Sequence, residues 1–198
     1  MNLIKPSSNK LFALIYGMSG TGKTHLAATY AQAFPNKNVL LIDVDQGSAT
    51  LLASDLKDVN NLYVVSFDTF KDLDTAFSLC QKNTVDDWVK EIPELKGLLT
   101  KPFDCIIWDT WSELQWIMSS ELRRKSGLLG KGLNYREGIQ IQHWGQMTDL
   151  NKLAAAAFKD LPIDSIFIMQ SQVTVDSITH QVIKGPAICP IISAIKYF

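Results

Sequence analysis

The segment LIYGMSGTGKTHLAATYAQAF, residues 14–34, joins an apolar run to a glycine-rich turn and then to a helical pattern. Gly17, Gly22, Lys23 and Thr24 match the spacing G-x-x-x-x-G-K-[ST]. The glycines allow the backbone to turn so tightly that successive N–H groups can point at phosphate oxygens. The start of the following helix adds a partial positive charge. The segment therefore predicts a phosphate-binding loop between a strand and a helix.

This loop carries the groups that a nucleoside triphosphate requires. Lys23 is expected to reach the β- and γ-phosphates, and Thr24 to give its hydroxyl to Mg²⁺. The backbone N–H groups of the loop are expected to hold the phosphates. The predicted nucleotide-binding residues are Gly17, Met18, Ser19, Gly20, Thr21, Gly22, Lys23 and Thr24.

Apolar runs of strand length alternate with segments of helical spacing along the chain. Several runs are apolar at consecutive positions, which is typical of strands buried on both faces of a parallel sheet. The alternation predicts an α/β fold, a three-layer sandwich with a mostly parallel central sheet. The predicted strands are 11–16, 39–43, 62–67, 104–109 and 165–169, and the predicted helices are 24–34, 70–83 and 144–161.

Length and composition favour a single domain. The 198 residues suffice for one domain with a core and hardly for two. With 46% hydrophobic residues and a net charge of −1, the chain is not wholly disordered and has no global attraction to nucleic acid or membranes. We expect one domain over 1–198 with an N-terminal arm at 1–10. The intervals 120–142 and 173–188 are candidate mobile loops, although 173–184 could instead form a terminal hairpin.

The apolar runs, the first residues and the cysteines indicate the cellular compartment of the protein. No apolar run approaches the length of a membrane span, and the first residues lack the apolar core of a signal peptide. Cys80, Cys105 and Cys189 are widely spaced, form no C-x-x-C pair and do not cluster with the three histidines. These features indicate reduced thiols, no zinc site and a cytoplasmic protein without membrane contact.

Three carboxylates and one amide are expected at the carboxyl edge of the sheet, beside the loop. Asp109 ends the run CIIWD and is the candidate for a second Mg²⁺ ligand. Asp43 and Asp45 both follow VLLI, and alternation sends them to the same side, so the spacing does not choose between them. Asp45 lies further out and is preferred for orienting water, but it could simply cap a turn. Gln170 ends SIFIMQ and could either sense the γ-phosphate or bond to the backbone.

The order of these motifs resembles the core of RecA-like ATPases. LIDVDQG is similar to the strand that carries the family's catalytic carboxylate, FDCIIWDT to its Walker B strand, and IFIMQSQ to the strand whose glutamine reads nucleotide state. The sequence looks most similar to compact phage and prophage members, some of which are single-strand-annealing recombinases. The resemblance implies a RecA-like P-loop fold, ATP and Mg²⁺ as cofactors, and Lys23, Asp45 and Gln170 as catalytic residues.

Two other classes stay open. LLIDVDQGSAT resembles the ParA/MinD partitioning ATPases, although Met18 stands where that group has a signature Lys. A small-molecule kinase would require an arginine-rich lid and an acceptor site, and the sequence shows neither. The RecA-like resemblance also has a departure, because that family usually has Glu where this chain has Asp45, which is one methylene shorter.

A local basic segment is the candidate for DNA binding. Residues 121–136, ELRRKSGLLGKGLNYR, hold five basic residues against one acidic residue, a local charge of 5 − 1 = +4. Basic residues neutralise phosphates, and glycines would let the segment follow a single strand. A solvated charged surface or a subunit contact would fit the same composition. The candidate DNA residues are Arg123, Arg124, Lys125, Lys131 and Arg136.

The resemblance implies how these parts would work together. In RecA-like proteins, the stretches after Walker B and after the sensing glutamine line the DNA channel, which corresponds here to about 120–140 and 173–188. The implied function is ATP-dependent binding or annealing of single-stranded DNA in phage recombination or repair, in the host cytoplasm. The implied partners are single-stranded DNA, further copies of the chain in an oligomer or filament, and a single-strand-binding protein. Trp111 and Trp116 begin a predicted helix, and we expect both to pack in the core.

Overall fold

The computed structural model describes residues 10–67, 69–125, 141–175 and 182–188. Two short 3-10 helices, Gly47–Ala53 and Pro93–Leu95, lie between the main elements. The strands are β1 (Phe12–Gly17), β2 (Val39–Asp43), β3 (Leu62–Ser66), β4 (Cys105–Asp109), β5 (Asp164–Val175) and β6 (Val182–Ile188), and the helices are α1 (Lys23–Ala33), α2 (Phe70–Lys82), α3 (Val85–Glu91), α4 (Trp111–Lys125) and α5 (Ile141–Lys159).

Five strands form a parallel sheet in the order β1-β5-β4-β2-β3. The register places Gly17 beside Gln170 and Asp43 beside Asp109, so the strand ends that carry the predicted motifs meet at one edge. β5 lies between the strand of the phosphate-binding loop and the strand of Asp109. The sheet and its covering helices confirm the predicted α/β sandwich.

Two apolar layers explain why the central strands β2 and β4 are buried on both faces. On one face, α1 packs its small residues Ala27, Ala28 and Ala31 against the sheet, so the helix can approach the strands closely. The other face holds an aromatic cluster in which the rings of Trp108, Trp111, Phe158 and Phe167 contact one another. Fully burying one large apolar side chain contributes about 1.5–3 kcal/mol, so this cluster is a main source of stability.

A polar cluster fixes the opposite, amino-terminal edge of the sheet. The carboxylate of Asp164, at the start of β5, accepts hydrogen bonds from the backbone N–H of Leu11 (2.7 Å), from Lys37 (2.8 Å) and from the hydroxyl of Tyr30. Burial alone would raise the pKa of Asp164, but these hydrogen bonds outweigh it and hold that pKa below its usual value. The cluster joins β5 to the residues preceding β1 and to α1.

Two predicted loops are shorter than expected. α4 continues to Lys125 and α5 begins at Ile141, so the ends of the interval 120–142 are helical, and 126–140 lie outside the described residues. Within 173–188, β5 runs to Val175 and pairs antiparallel with β6, as in the hairpin alternative given for 173–184. Residues 1–9 of the N-terminal arm, residues 176–181 and Cys189 also lie outside the described residues.

The burial of two tryptophans and two cysteines can be compared with what the sequence predicts for them. Trp111 is fully buried, whereas Trp116 is 39% exposed, so the expected core position is correct for Trp111 and wrong for Trp116. The difference arises because Trp116 lies on the solvent side of α4. Cys80 and Cys105 are buried free thiols, as expected of reduced cysteines. None of the described helices is long and apolar enough to span a membrane.

Candidate nucleotide-binding site

The glycine-rich loop adopts a backbone that depends on glycine at two positions. Gly20 and Gly22 have φ angles of +75° and +79°, in the left-handed region that disfavours other residues. Gly22 is the residue before α1, so this turn directs the loop into the helix N-terminus. The predicted strand, loop and helix are therefore all present, and the loop N–H groups lie where an anion is favoured.

Two side chains fold back onto the loop. The hydroxyl of Thr21 donates to the carbonyl oxygen of Met18 at 2.8 Å, and the ammonium of Lys23 donates to the same oxygen at 2.7 Å. The Lys23 ammonium is therefore held within the loop rather than extended into solvent. A phosphate oxygen in the loop would offer it a charged acceptor, which binds an ammonium more strongly than a neutral carbonyl does.

Thr24 and Asp109 meet at the centre of the site. The Thr24 hydroxyl donates to Asp109 Oδ2 at 2.5 Å. Asp109 is fully buried, and its second oxygen, Oδ1, has no hydrogen-bond partner among the described residues. The pKa of Asp109 is raised to about 6, mainly by burial and also by the charges of Asp45 and Asp43. The Thr24 hydrogen bond and the charge of Lys23 oppose this rise.

The same arrangement fits a divalent cation. Mg²⁺ prefers oxygen ligands, and a hydroxyl beside an unsatisfied carboxylate oxygen supplies them. A cation would satisfy Asp109 Oδ1 and favour the ionised carboxylate that burial disfavours. Thr24 and Asp109 are thus the residues that could hold Mg²⁺ here.

The structure separates the two aspartates that the sequence left equivalent. Asp43 is buried, and its carboxylate accepts the backbone N–H groups of Gly47 (3.0 Å) and Ser48 (3.1 Å), so it holds the turn after β2. Asp45 is exposed and lines the nucleotide cleft, while one of its oxygens also accepts the Gly47 N–H at 3.0 Å. Asp45 is therefore the aspartate whose carboxylate can reach a bound ligand.

A single cleft of about 450 Å³ brings the predicted catalytic residues together. Gln170 lies in this cleft at the end of the β5 segment that pairs with β1, and its backbone N–H donates to the hydroxyl of Ser112 at 3.0 Å. The described residues lining the cleft are Ser19, Gly20, Gly22, Lys23, Thr24, His25, Asp45, Gly47, Thr50, Asp109, Thr110 and Gln170.

Sequence reasoning missed two residues that follow Asp109 by three and four positions. Ser112 is buried and connects α4 to Gln170. Glu113 lies in the first turn of α4, and its pKa is raised first by burial and then by the charge of Asp45. Their spacing from Asp109, just beyond a strand end, is the signal that could have placed both near the site.

The candidate DNA residues are only partly described. Arg124 is exposed and forms two hydrogen bonds of 2.7 Å with the carboxylate of Glu121, one turn earlier on α4. Arg123 and Lys125 belong to α4, but nothing further is described of their side chains. Lys131 and Arg136 lie outside the described residues.

The strand order, the glycine-rich loop and the Thr24–Asp109 pair together define a P-loop NTPase fold. A family described as "AAA domain" matches residues 9–184, and the chain belongs to this family. No curated protein matches the chain. Among solved structures, one titled "Crystal structure of the RadB recombinase" is similar with a TM-score of 0.41 and 16% sequence identity, covering 89% of this chain and 67% of that one.

Proposed function

We propose that this protein binds ATP with Mg²⁺, hydrolyses it, and couples the cycle to single-stranded DNA in recombination or repair of the phage annealing type. The observation that carries the nucleotide part is the contact between Thr24 and Asp109, with its unsatisfied buried oxygen. Without a bound cation, the buried carboxylate of Asp109 has a raised pKa and its ionised form destabilises the folded protein. Its position beside a phosphate-binding loop therefore supports a role in cation binding.

Four side chains of the cleft, those of Lys23, Thr24, Asp45 and Asp109, have distinct parts in the proposed hydrolysis. Lys23 and the loop N–H groups bind the phosphates and stabilise negative charge as the terminal phosphoryl group is transferred. Thr24 and Asp109 hold Mg²⁺, which when bound neutralises charge on the β- and γ-phosphates. Asp45 orients the attacking water and accepts its proton. The exposed position of Asp45 in the cleft supports this assignment over Asp43.

The hydrogen bond between Gln170 and Ser112 supports a structural coupling between the nucleotide cleft and the proposed DNA-binding residues of α4. Gln170 lines the cleft and is tied by its backbone to Ser112, on the first turn of α4. The same helix carries Arg123, Arg124 and Lys125 at its other end. A displacement of Gln170 by the γ-phosphate would therefore be transmitted to the helix that presents the basic residues, and along β5 to the hairpin with β6.

The DNA part rests on charge and on the RecA-like resemblance. The local charge of residues 121–136 is +4 in a chain of net charge −1, so a polyanion would be attracted to this segment. Assembly into an oligomer or filament, a single-strand-binding protein as a further partner, and a cytoplasmic location belong to the same proposal.

The experiment that tests this function is the steady-state rate of ATP hydrolysis with Mg²⁺, alone and with single-stranded or duplex DNA. Stimulation by single strands is expected. Stimulation by duplex alone would favour the ParA/MinD-like alternative. A rate indifferent to both DNA forms would contradict the DNA part, and phosphate transfer to a small molecule in place of water would favour the kinase alternative.

A further inference from the structure

A second groove, of about 370 Å³, adjoins the nucleotide cleft. We call it the α4 groove. One wall is a stripe of α4 that includes Glu113, Trp116 and Arg124, at the spacing that places side chains on one helical face. The opposite wall includes Val44, after β2, and Phe67, after β3. Nothing in the proposed hydrolysis uses this groove.

The charges of the groove are unbalanced at one end. Arg124 and Glu121 form a two-point ion pair, so they neutralise each other. Glu113 is half-buried, and its carboxylate has neither a hydrogen-bond donor nor a basic side chain within ion-pair distance in the described parts of the chain. The groove therefore has one uncompensated negative charge among its described residues, and partly burying a charge without a partner is unfavourable.

The nearest helix terminus does not reverse this preference. α2 begins beside the groove, and a helix N-terminus would ordinarily attract an anion. Here Thr69 and Asp72 form a capping box in which each side chain accepts the other's backbone N–H. The cap already supplies a carboxylate to this terminus, so a cation is the better complement for the groove.

The remaining surface of the groove selects the shape of that cation. The aromatic side chains of Phe67, Phe70 and Trp116 line it, and Trp116 is 39% exposed. Aromatic faces attract cations, and an apolar wall packs against the methylene stem of a long basic side chain. Arginine suits both features better than lysine, because its planar guanidinium stacks on rings and pairs with a carboxylate at two points.

We propose that the α4 groove receives an arginine side chain from a partner protein, with its guanidinium paired to Glu113 and its stem packed against Trp116. The groove and the nucleotide cleft share a wall, because Val44 lines the first and Asp45 lines the second. A guanidinium at Glu113 offsets the repulsion between Glu113 and Asp45. Docking of the partner thereby alters the electrostatic surroundings of the proposed water-orienting carboxylate.

The test uses acetyl-Gly-Arg-Gly-amide as the probe and its citrulline counterpart as the neutral control of the same shape. Binding to the full chain is followed by the indole N–H resonance of Trp116, assigned by comparison with Trp116→Phe. The arginine peptide should shift this resonance in a saturable way, and the citrulline peptide should bind at least about tenfold more weakly. No nucleotide is present, so the result is independent of whether the cleft hydrolyses ATP.

Substitutions assign the effect to Glu113. Glu113→Gln should weaken the arginine peptide at least about tenfold, and Glu113→Asp, which keeps the charge, should bind at an intermediate strength. Glu94→Gln, on an exposed residue of the second 3-10 helix, is the matched control and should bind as the wild type does. Equal binding of the two peptides, no binding of either, or no loss in Glu113→Gln would overturn the proposal. A short oligothymidine that displaces the arginine peptide, and binds the wild type and Glu113→Gln equally well, would also overturn the proposal. That result would assign the groove to nucleic acid.

Discussion

The hydroxyl of Thr24, at the start of α1, lies 2.5 Å from the carboxylate of Asp109, which is 85 residues further along the chain. The parallel sheet makes this contact possible, because it brings the loop after β1 and the end of β4 to one edge. The second oxygen of Asp109 stays buried and without a partner among the described residues. This unpartnered oxygen supports the proposal that a cation binds beside the pair.

Asp109→Asn should therefore have opposite effects on stability and on Mg²⁺ binding. Burial raises the pKa of Asp109 from 3.8 to about 6, so the folded state disfavours the ionised form. Folding stability is then lost as pH rises through this range, and the variant avoids that loss. At pH 7 without metal, we expect Asp109→Asn to be more stable by about 1–3 kcal/mol.

Urea unfolding in EDTA measures the gain in stability of Asp109→Asn over the wild type. Repeating the unfolding with Mg²⁺ and nucleotide measures how strongly each protein is stabilised by the bound metal, and so whether the Asp109 carboxylate is a metal ligand. The variant should show little of that stabilisation. Thr24→Val, which removes the hydroxyl and keeps the shape, is the companion variant. An Asp109→Asn protein that is no more stable in EDTA and is stabilised normally by Mg²⁺ would contradict the metal assignment.

Replacing Asp43 or Asp45, at the carboxyl end of β2, by asparagine should have different effects on stability and on hydrolysis. Asp43→Asn weakens the acceptance of two backbone N–H groups and should lower the unfolding free energy by about 1–3 kcal/mol. Asp45→Asn should leave ATP affinity and folding nearly unchanged but slow hydrolysis by about 10²–10⁴-fold. Thermal melts and single-turnover kinetics distinguish the two; a normal rate in Asp45→Asn would exclude Asp45 as the water-orienting residue.

The polar cluster at the amino-terminal edge predicts an acid-dependent stability. The pKa of Asp164 lies below its usual value, so its contribution is present above the unfolded-state pKa and is lost as pH falls through the folded-state pKa. Asp164→Asn should lower stability at pH 7 by about 1–3 kcal/mol and flatten the decline below about pH 4. Urea melts from neutral to acid pH check this, with the exposed Asp58→Asn as control. Parallel curves for wild type and Asp164→Asn would contradict the cluster's role.

Reversing the charges of Arg123, Arg124 and Lys125 to Glu should weaken binding of single-stranded DNA. Each phosphate contact adds about 0.7 to the slope of log affinity against log salt for single strands, so losing three should flatten the slope by about 2. The matched control reverses Lys57, Lys71 and Lys96, which are exposed and lie outside α4. Fluorescence anisotropy across a salt series gives both slopes. An unchanged slope in the first variant would place the DNA contact elsewhere.

Much of the fold follows from the sequence because the decisive signals are local. The apolar runs predict β1, β2, β3 and β4 to within one residue at each end, because strands of a parallel sheet are apolar at consecutive positions. The start of β5 is also predicted to within one residue, but β5 continues six residues beyond the predicted end at 169, to Val175. The glycines and Lys23 predict the loop because few backbones other than a phosphate cradle require that pattern. Asp109 is placed by its position at a strand end, which the topology turns into proximity.

What sequence could not provide depends on contacts between distant elements. Asp43 and Asp45 are equivalent by alternation, and only the turn at Gly47 shows that Asp43 is used by the backbone. Trp116 has the spacing of a core residue, but α4 directs it into a groove. Ser112 and Glu113 gain their significance from Gln170 and Asp45, which lie on other strand ends.

The most direct test of the account is the calorimetric affinity for ATP with Mg²⁺ in the wild type and in Lys23→Ala. Among the described residues, the Lys23 ammonium donates its hydrogen bond to the Met18 carbonyl within the exposed loop, so its removal should leave the fold intact. The wild type should bind and require Mg²⁺, and Lys23→Ala should bind about ten- to a hundredfold more weakly, as expected for a lost hydrogen bond to a charged group. Equal affinity in the two proteins, or no binding by a folded wild type, would contradict the assignment of this loop as a nucleotide site.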